Sequence, residues 1–432
     1  MDTGLWSAIL VITTLIITGK TDRSSVATFS VALSLLVLTR PEALLWGMVF
    51  ISVNTFKVLV LYDTKKAILR LVSSAGVFFI SSGMLTVFRL IYFGYPFPNT
   101  YYAKVSSSLS YNVSEGCNYL YNFLFFSTPT VTLSFLCIIL YTALICLEFR
   151  GIDKENRKWF LKTNVNGIVI TIISATGLFI PVLSGGDHFG SHRFLQPIYP
   201  ILIINMFIFI KYILQKDLFS KGVHLLTYKT TFLYVILFTI MSMNWFQWTN
   251  FATTSGLRGE FTLSQDSRKY GEFLSLFCQN LQNKPLVGVI AAGGIKLIYN
   301  GPVFDLMGLN NTTMGHSKGI RKGLKNHAAF EKDVFYEIQP DILPLFPFQM
   351  INKSDSIINH NKMSSIKNMS HYFLKDLFDE PTFRNTYAYV RICSNNLDQC
   401  LEGFCSHAYI EKIAHSNGYS YKIVPLIQNY IR

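Results

Sequence analysis

The chain has 432 residues, of which 50% are hydrophobic, 15% aromatic and only 15% charged, against roughly a quarter charged in an ordinary soluble domain. With 36 Phe and 23 Tyr and a mean hydropathy of +0.33, disorder, a collagen-like chain and a small disulfide-held scaffold are excluded. The formal net charge of +13 would suit a nucleic-acid partner, so the distribution of that charge decides its meaning.

Polarity changes near residue 248. Residues 1–248 hold 19 Lys/Arg and 10 Asp/Glu, residues 249–432 hold 19 and 15, and the long apolar runs are confined to the first part. Eight runs are candidate membrane spans, each of which needs roughly 20 apolar residues. They are Leu5–Gly19, Ser25–Leu38, Ala43–Leu61, Ala67–Phe93, Thr130–Phe149, Val165–Ser184, Phe194–Leu214 and Thr230–Trp248. The first two are short. The stretches between the runs alternate in charge. All basic residues of 1–248 except Arg40, Arg89, Lys104 and Arg193 fall in one alternate set, Lys57, Lys65, Arg157 and Lys211 among them. The positive-inside rule makes that set cytoplasmic. Topology alone accounts for these cations, and no nucleic-acid partner is expected. Met1 then lies outside, with no basic flank and no signal-peptide n-region before the first run.

From Asn250 the chain is expected outside. Ser267–Leu281 has helical periodicity, carried by Tyr270, Phe273, Leu274, Phe277 and Leu281. Lys284-Pro285 stops it. Leu286–Ala292 and Val303–Met307 read as strands and Ala328–Ile338 as a helix before Pro340. The fold class expected is therefore mainly α: a polytopic helical membrane domain over 1–248, then an extracytoplasmic α/β domain over 249–347. Residues 348–432, where the pattern weakens, read as an extension of the outer domain, with Ser354–Ser370 as a mobile loop. Cys393, Cys400 and Cys405 cluster on the oxidising side, so one disulfide among them is expected, its pairing left open. Zinc is disfavoured there, because no C-x2-C pair accompanies the nearby His407. No P-loop, G-x-G-x-x-G after a strand, H-E-x-x-H or G-x-S-x-G motif is present.

The informative residues are the few polar ones on the outer face. Arg40-Pro41-Glu42 joins the second and third runs. Arg89 ends the fourth and leads to Asn99-Thr100-Tyr101-Tyr102-Ala103-Lys104. Gly185-Gly186-Asp187-His188, followed by His192-Arg193-Phe194, joins the sixth and seventh. A lone charge at such a boundary is ordinarily an interfacial anchor. Sparse cations beside carboxylates, Pro and Gly suit a phosphate held at headgroup level, with Arg40, Lys104 and Arg193 as its ligands and His192 as a further donor. A carboxylate among them could take a proton from a hydroxyl nucleophile. Tyr101 and Tyr102 could stack on a sugar or simply belong to the interfacial aromatic belt. Arg40 paired with Glu42 or with Asp187 is the bland alternative.

The Arg89–Lys104 segment, with its Tyr-Phe-Gly, Pro-Asn-Thr and Ala-Lys pattern, resembles one in bacterial membrane glycosyltransferases of the GT-C class, in particular the terminal β-(1→2)-arabinofuranosyltransferases and their relatives. Arg40-Pro41-Glu42 and Gly185-Gly186-Asp187 with His192-Arg193-Phe194 and Pro197 resemble two more of that family's elements. In the tail, Asp305-Leu306-Met307-Gly308-Leu309, Gly315-His316-Ser317-Lys318 and Gln339-Pro340-Asp341 resemble others. The resemblance runs from Asp2 to about Leu345. It implies an inverting transfer of sugar from a polyprenyl-phosphate donor to a cell-envelope glycan or glycolipid, lipopolysaccharide included, at a bacterial inner membrane, with the outer domain periplasmic or otherwise extracytoplasmic. Asp187, then Asp2 and Glu42, are the candidate catalytic carboxylates. Arg40, Lys104, His192 and Arg193 would bind donor phosphate, and Arg89, Asn99, Tyr101, Tyr102 and His188 would line the substrate. Membrane lipid is the other partner. No cofactor is implied and no metal ligand is named, with a divalent metal left open. Asp305 reads as a turn-fixing residue at a strand end. Met1-Asp2-Thr3-Gly4-Leu5-Trp6 resembles an element that follows about three spans in such proteins, which implies a chain lacking the first acidic outer loop. The alternatives are a catalytically inactive assembly partner, or a glycan or lipid transporter with an outer domain. The near absence of mid-span carboxylates counts against ion-coupled transport.

Overall fold

A computed structural model of the chain describes residues 2–19, 23–106, 108–186, 192–215, 256–279, 281–290, 292–317, 330–345, 348, 350–355, 377, 380–394, 396–414 and 421–425. The fold is mainly helical and divides into two compact units, Met1–Pro98 with Ser107–Phe251, and Asn99–Ser106 with Ala252–Arg432.

The first unit is a helical bundle. Its described helices are α1 (Asp2–Thr18), α2 (Arg23–Thr39), α3 (Ala43–Leu61), α4 (Thr64–Phe93), α6 (Leu109–Phe126), α7 (Pro129–Gly151), α8 (Arg157–Leu183) and α9 (Tyr199–Gln215), with a short 3-10 turn at Gln196–Ile198; α5 (Asn99–Lys104) belongs to the second unit. Local chemistry sets the ends. Asp63 caps α4 by accepting from the Lys66 N–H at 2.8 Å, and Gly94, at φ 79°, closes it in the left-handed conformation that glycine adopts without strain. Trp6, Leu10, Phe29, Leu33, Trp46, Phe50, Phe78, Val169, Ile173 and Ile201 form the core. Among the described residues, five helices are long and apolar enough to cross a membrane: Ala43–Leu61, Thr64–Phe93, Pro129–Gly151, Arg157–Leu183 and Gln196–Gln215. Ile80, Met84, Phe88 and Ile91 on α4 are exposed, as lipid-facing side chains would be.

Several expectations change. Leu5–Gly19 and Ser25–Leu38 fall in apolar helices of 17 residues each, at the short end of what crosses a bilayer. Phe194–Leu214 opens with a turn rather than a helix, because regular helix starts only at Tyr199. Thr230–Trp248 lies outside the described residues. The stretch between the expected runs Ala67–Phe93 and Thr130–Phe149 contains a further helix, α6, which packs against α8. The buried face of α6 is Asn112, Gly116, Tyr119, Leu120, Phe123 and Leu124, a helical period whose Asn, Gly and Tyr keep its hydropathy low. Gly116 lies so close to Val182 that a Cβ would meet its carbonyl oxygen at 2.3 Å. Lys57 is not a loop cation. It is 2% exposed within α3, and its ammonium donates to the Ile17 and Gly19 carbonyls, both at 2.7 Å, the unsatisfied acceptors that a helix leaves at its C-terminal end.

The second unit is built on a seven-stranded mixed sheet: β1 (Val287–Val289), β2 (Val303–Asp305), β3 (Ile342–Pro344), β4 (Ile351–Asn352), β5 (Tyr387–Ser394), β6 (Gln399–Ser406) and β7 (Tyr421–Pro425), in the order β2-β1-β3-β6-β5-β7 with β4 also on β6. β1 pairs in parallel with β2 and β3, and the pairs β3–β6, β4–β6, β5–β6 and β5–β7 are antiparallel. β1 is buried throughout, as a short unbroken apolar run between parallel neighbours should be. The helix expected at Ser267–Leu281 is α10 (Gly256–Phe277), whose Tyr270, Phe273, Leu274 and Phe277 are buried in the unit's core. The helix expected at Ala328–Ile338 forms over Lys332–Ile338. Most of Ser354–Ser370 lies outside the described residues. Cys393 and Cys400 face each other across the β5–β6 pair and form a disulfide, whereas Cys405 is a free, buried thiol.

Candidate functional site

In the first unit the α2–α3 turn and the α8–α9 connection meet. Arg40 follows the last residue of α2, and Glu42 stands at the N-cap of α3. The Arg40 Nε and Glu42 Oε2 atoms are 3.5 Å apart, at side-chain exposures of 12% and 27%. That is an ion pair but too long for a good hydrogen bond, and Glu42 Oε2 indeed has no hydrogen-bond partner. The Arg40 guanidinium is directed at an aromatic face instead, with its Cζ 5.0 Å from the Phe194 ring centroid; the Arg193 Cζ lies 5.4 Å from the same centroid. Two cations from elements about 150 residues apart therefore share one ring, each attracted by its π-face.

The connection carrying Arg193 is shaped locally. Gly185 and Gly186 have φ of 84° and 73°, and His192 has φ of 52°, a region that few non-glycine residues enter. The His192 carbonyl accepts from the N–H groups of Leu195 (2.8 Å) and Gln196 (3.0 Å) and so starts the 3-10 turn. Tyr119 of α6, 3% exposed, touches both ends of the connection. Its hydroxyl accepts from the Phe194 N–H at 3.2 Å, its ring lies 5.1 Å from that of His192, and a Cβ on Gly186 would come within 2.5 Å of its Cγ. Phe123, one turn further along α6, lies 5.6 Å from the His192 ring. Ser7 of α1 donates to the Pro197 carbonyl at 3.0 Å, so the helix opened by Asp2 is tied to the same connection. Asp187 and His188 lie outside the described residues. Arg89 is half-buried near the C-terminal end of α4.

The other expected residues belong to the second unit. Asn99 Nδ2 donates to the carbonyls of Gly308 (2.7 Å), Leu309 (3.0 Å) and Asn311 (3.3 Å). The Tyr102 ring lies against that of His316, tilted by 31° with centroids 4.0 Å apart, and Tyr101 meets Tyr102 edge-on at 5.6 Å. Lys104 is half-buried at the end of α5. The Asn99–Lys104 helix and the Asp305-to-His316 segment thus meet within the second unit. There Asp305 accepts from the N–H groups of Met307 (2.9 Å) and Asn310 (2.8 Å) and from Asn310 Nδ2 (3.1 Å). Burial raises its pKa, and those hydrogen bonds oppose the rise. Its geometry is that of a turn-fixing residue.

In the first unit Arg40, Glu42 and Arg193 come together at Phe194, with His192 next in the chain against Tyr119 and Phe123, while Asn99, Tyr101, Tyr102 and Lys104 belong to the second unit. Sequence reasoning missed Tyr119, Phe123 and the role of Phe194. The period of α6 was the available signal for the first two. Among the described residues no group of three His, Cys, Asp or Glu side chains could hold a metal ion. Chemically, this end of the first unit offers two guanidinium groups on one ring and a carboxylate beside one of them, cations of the kind that suit a phosphate. No family model, curated protein or solved structure matches the chain.

Proposed function

We propose that the chain is a membrane glycosyltransferase that moves a sugar from a polyprenyl-phosphate donor to a glycan or glycolipid of the bacterial cell envelope. The observation that carries this reading is the convergence of Arg40 and Arg193 on the Phe194 ring, with Glu42 3.5 Å from Arg40. Sugar transfer from such a donor breaks the bond between the anomeric carbon and a phosphate oxygen. The bonding pair leaves with the phosphate, and cations already oriented there stabilise the charge without reorganising. The acceptor hydroxyl attacks the opposite face of the anomeric carbon, and a carboxylate removes its proton. Asp187 is the first candidate among this chain's own carboxylates, with orienting the cations or binding the acceptor preferred to the role of primary base. Glu42, engaged by Arg40, fits the role of orienting that cation, and Asp2 is the third candidate. His192 can donate to a phosphate oxygen or a sugar hydroxyl. In this reading the Arg40 and Arg193 end faces the extracytoplasmic side of the inner membrane. The Cys393–Cys400 disulfide supports an oxidising compartment for the second unit.

The test is reconstitution in proteoliposomes with a radiolabelled polyprenyl-phosphate sugar and envelope acceptors, comparing the wild type with Arg193→Ala and Asp187→Asn. Transfer by the wild type that falls by two or more orders of magnitude in both variants supports the proposal. Absence of transfer from every donor sugar offered counts against it.

A further inference from the structure

We propose that Phe194 is the positioning residue for both guanidinium groups, and that Tyr119 positions Phe194 in turn; this rests on the donor-phosphate reading above. Two like charges in one pocket repel each other, and each arginine has many rotamers to lose when it binds an anion. A shared aromatic ring answers both problems. Its face attracts each cation, most strongly where water is excluded, and it restricts where each can sit. Arg40, at 12% side-chain exposure, is largely out of water. Glu42 offsets the charge of Arg40 at 3.5 Å, and the Phe194 ring lies close to both arginines, 5.0 Å from the Arg40 Cζ and 5.4 Å from the Arg193 Cζ.

The ring can serve this purpose only if its own direction is fixed. Phe194 lies between His192, held at φ 52°, and the 3-10 turn that begins at Gln196. Its N–H is bound by the Tyr119 hydroxyl at 3.2 Å. Tyr119 is itself anchored on α6, 3% exposed, with Gly186 packed against its ring on the other side of the connection. The order of support therefore runs from α6 through Tyr119 to Phe194 and from there to Arg40 and Arg193. The polyprenyl monophosphate left after transfer carries more charge than the phosphodiester donor, so it should sense the loss of this arrangement most.

The test measures binding of a radiolabelled short-chain polyprenyl monophosphate to the full chain in detergent, with thermal melting run on every variant. Phe194→Leu keeps an apolar side chain and removes the π-face; we expect affinity to fall about tenfold, the size of two modest cation–π contacts. Phe194→Tyr restores the face and should recover most of the affinity. Tyr119→Phe keeps the ring and removes the acceptor for the Phe194 N–H, and should weaken binding about threefold, the effect of one lost neutral hydrogen bond. In the transfer assay the Phe194→Leu and Tyr119→Phe variants should lose affinity for the lipid phosphate while folding as the wild type does. Phe194→Leu binding as tightly as wild type while Arg193→Ala fails to bind would overturn the positioning role and leave the donor-phosphate reading intact. Phe194→Tyr as weak as Phe194→Leu would overturn it as well. A folded wild type that binds no polyprenyl monophosphate removes both.

Discussion

Asn99 and Gly308, 209 residues apart in the chain, are joined by a 2.7 Å hydrogen bond from the Asn99 amide to the Gly308 carbonyl. The same amide nitrogen reaches Leu309 and Asn311. Three carbonyls of one loop thus converge on one side chain, while Gly308 takes the φ of 71° that the turn requires. Asn99→Ala should cost about 1–3 kcal/mol, because part-buried acceptors lose their partner. Chemical denaturation followed with a probe in the second unit measures the loss. Faster hydrogen exchange at the Met307 and Asn310 amides should localise it to the turn that Asp305 holds.

A buried ion pair gives a second prediction. Arg391 on β5 and Glu402 on β6 are 5% and 1% exposed, with Nη2 and Oε2 2.9 Å apart. Tyr389 donates to Glu402 Oε1 at 2.6 Å, and Arg391 Nη1 donates to the Asp355 carbonyl at 2.9 Å. Glu402→Gln leaves the guanidinium buried without its counter-charge and should cost about 3–5 kcal/mol, whereas the double change Arg391→Met with Glu402→Leu should cost less, about 1–3 kcal/mol for the partners that Tyr389 and Asp355 lose. Equilibrium unfolding of the two variants separates the cases.

The pair also explains part of what was hard to read beforehand. β5 and β6 each carry a charged residue at a buried position, which breaks the apolar alternation by which strands are recognised. Nothing in either segment announces that Arg391 and Glu402 neutralise each other. By contrast, α3, α4, α7 and α8 were legible because their apolar runs are long and nearly uncharged. α6 was not, because the face it buries against α8 includes Asn112, Gly116 and Tyr119. The same division holds for the candidate site. Arg40, Glu42, His192 and Arg193 stood out as sparse polar residues in an apolar half. Tyr119 and Phe194 did not, because aromatic residues abound in this chain and their importance lies in contacts across about 75 residues of sequence.

Acid should weaken the second unit through Glu380. Hydrogen bonds from Lys332 and Tyr336 hold its carboxyl below the ordinary value of 4.5. A carboxylate whose pKa is lower in the folded state contributes stability above 4.5 and loses it as the pH falls through the folded value. Thermal melting between pH 6 and pH 3 should therefore show a decline that Glu380→Gln makes shallower. Asp305 acts in the opposite sense, since its raised pKa favours folding as the pH falls. Asp305→Asn should make the decline steeper.

Gly186 tests the connection between α8 and α9. Its φ of 73° strains any other residue, and an added Cβ would lie 2.5 Å from Tyr119 Cγ. Gly186→Ala should destabilise the first unit by about 1–3 kcal/mol and displace Tyr119, measured as a lower melting temperature in detergent together with weaker polyprenyl-phosphate binding. A variant with unchanged melting and unchanged binding would show that Tyr119 does not depend on this contact.

The proposal that Arg40 and Arg193 serve one phosphate is tested most directly by a double-mutant cycle on sugar-transfer rate. Wild type, Arg40→Ala, Arg193→Ala and the double variant are compared in the same proteoliposomes with a labelled polyprenyl-phosphate sugar. We expect each single change to remove most of the activity and the double change to remove little more, with a coupling of about 1–3 kcal/mol between the two arginines. Losses that simply add would contradict a shared phosphate, and activity that survives both substitutions would contradict the site itself.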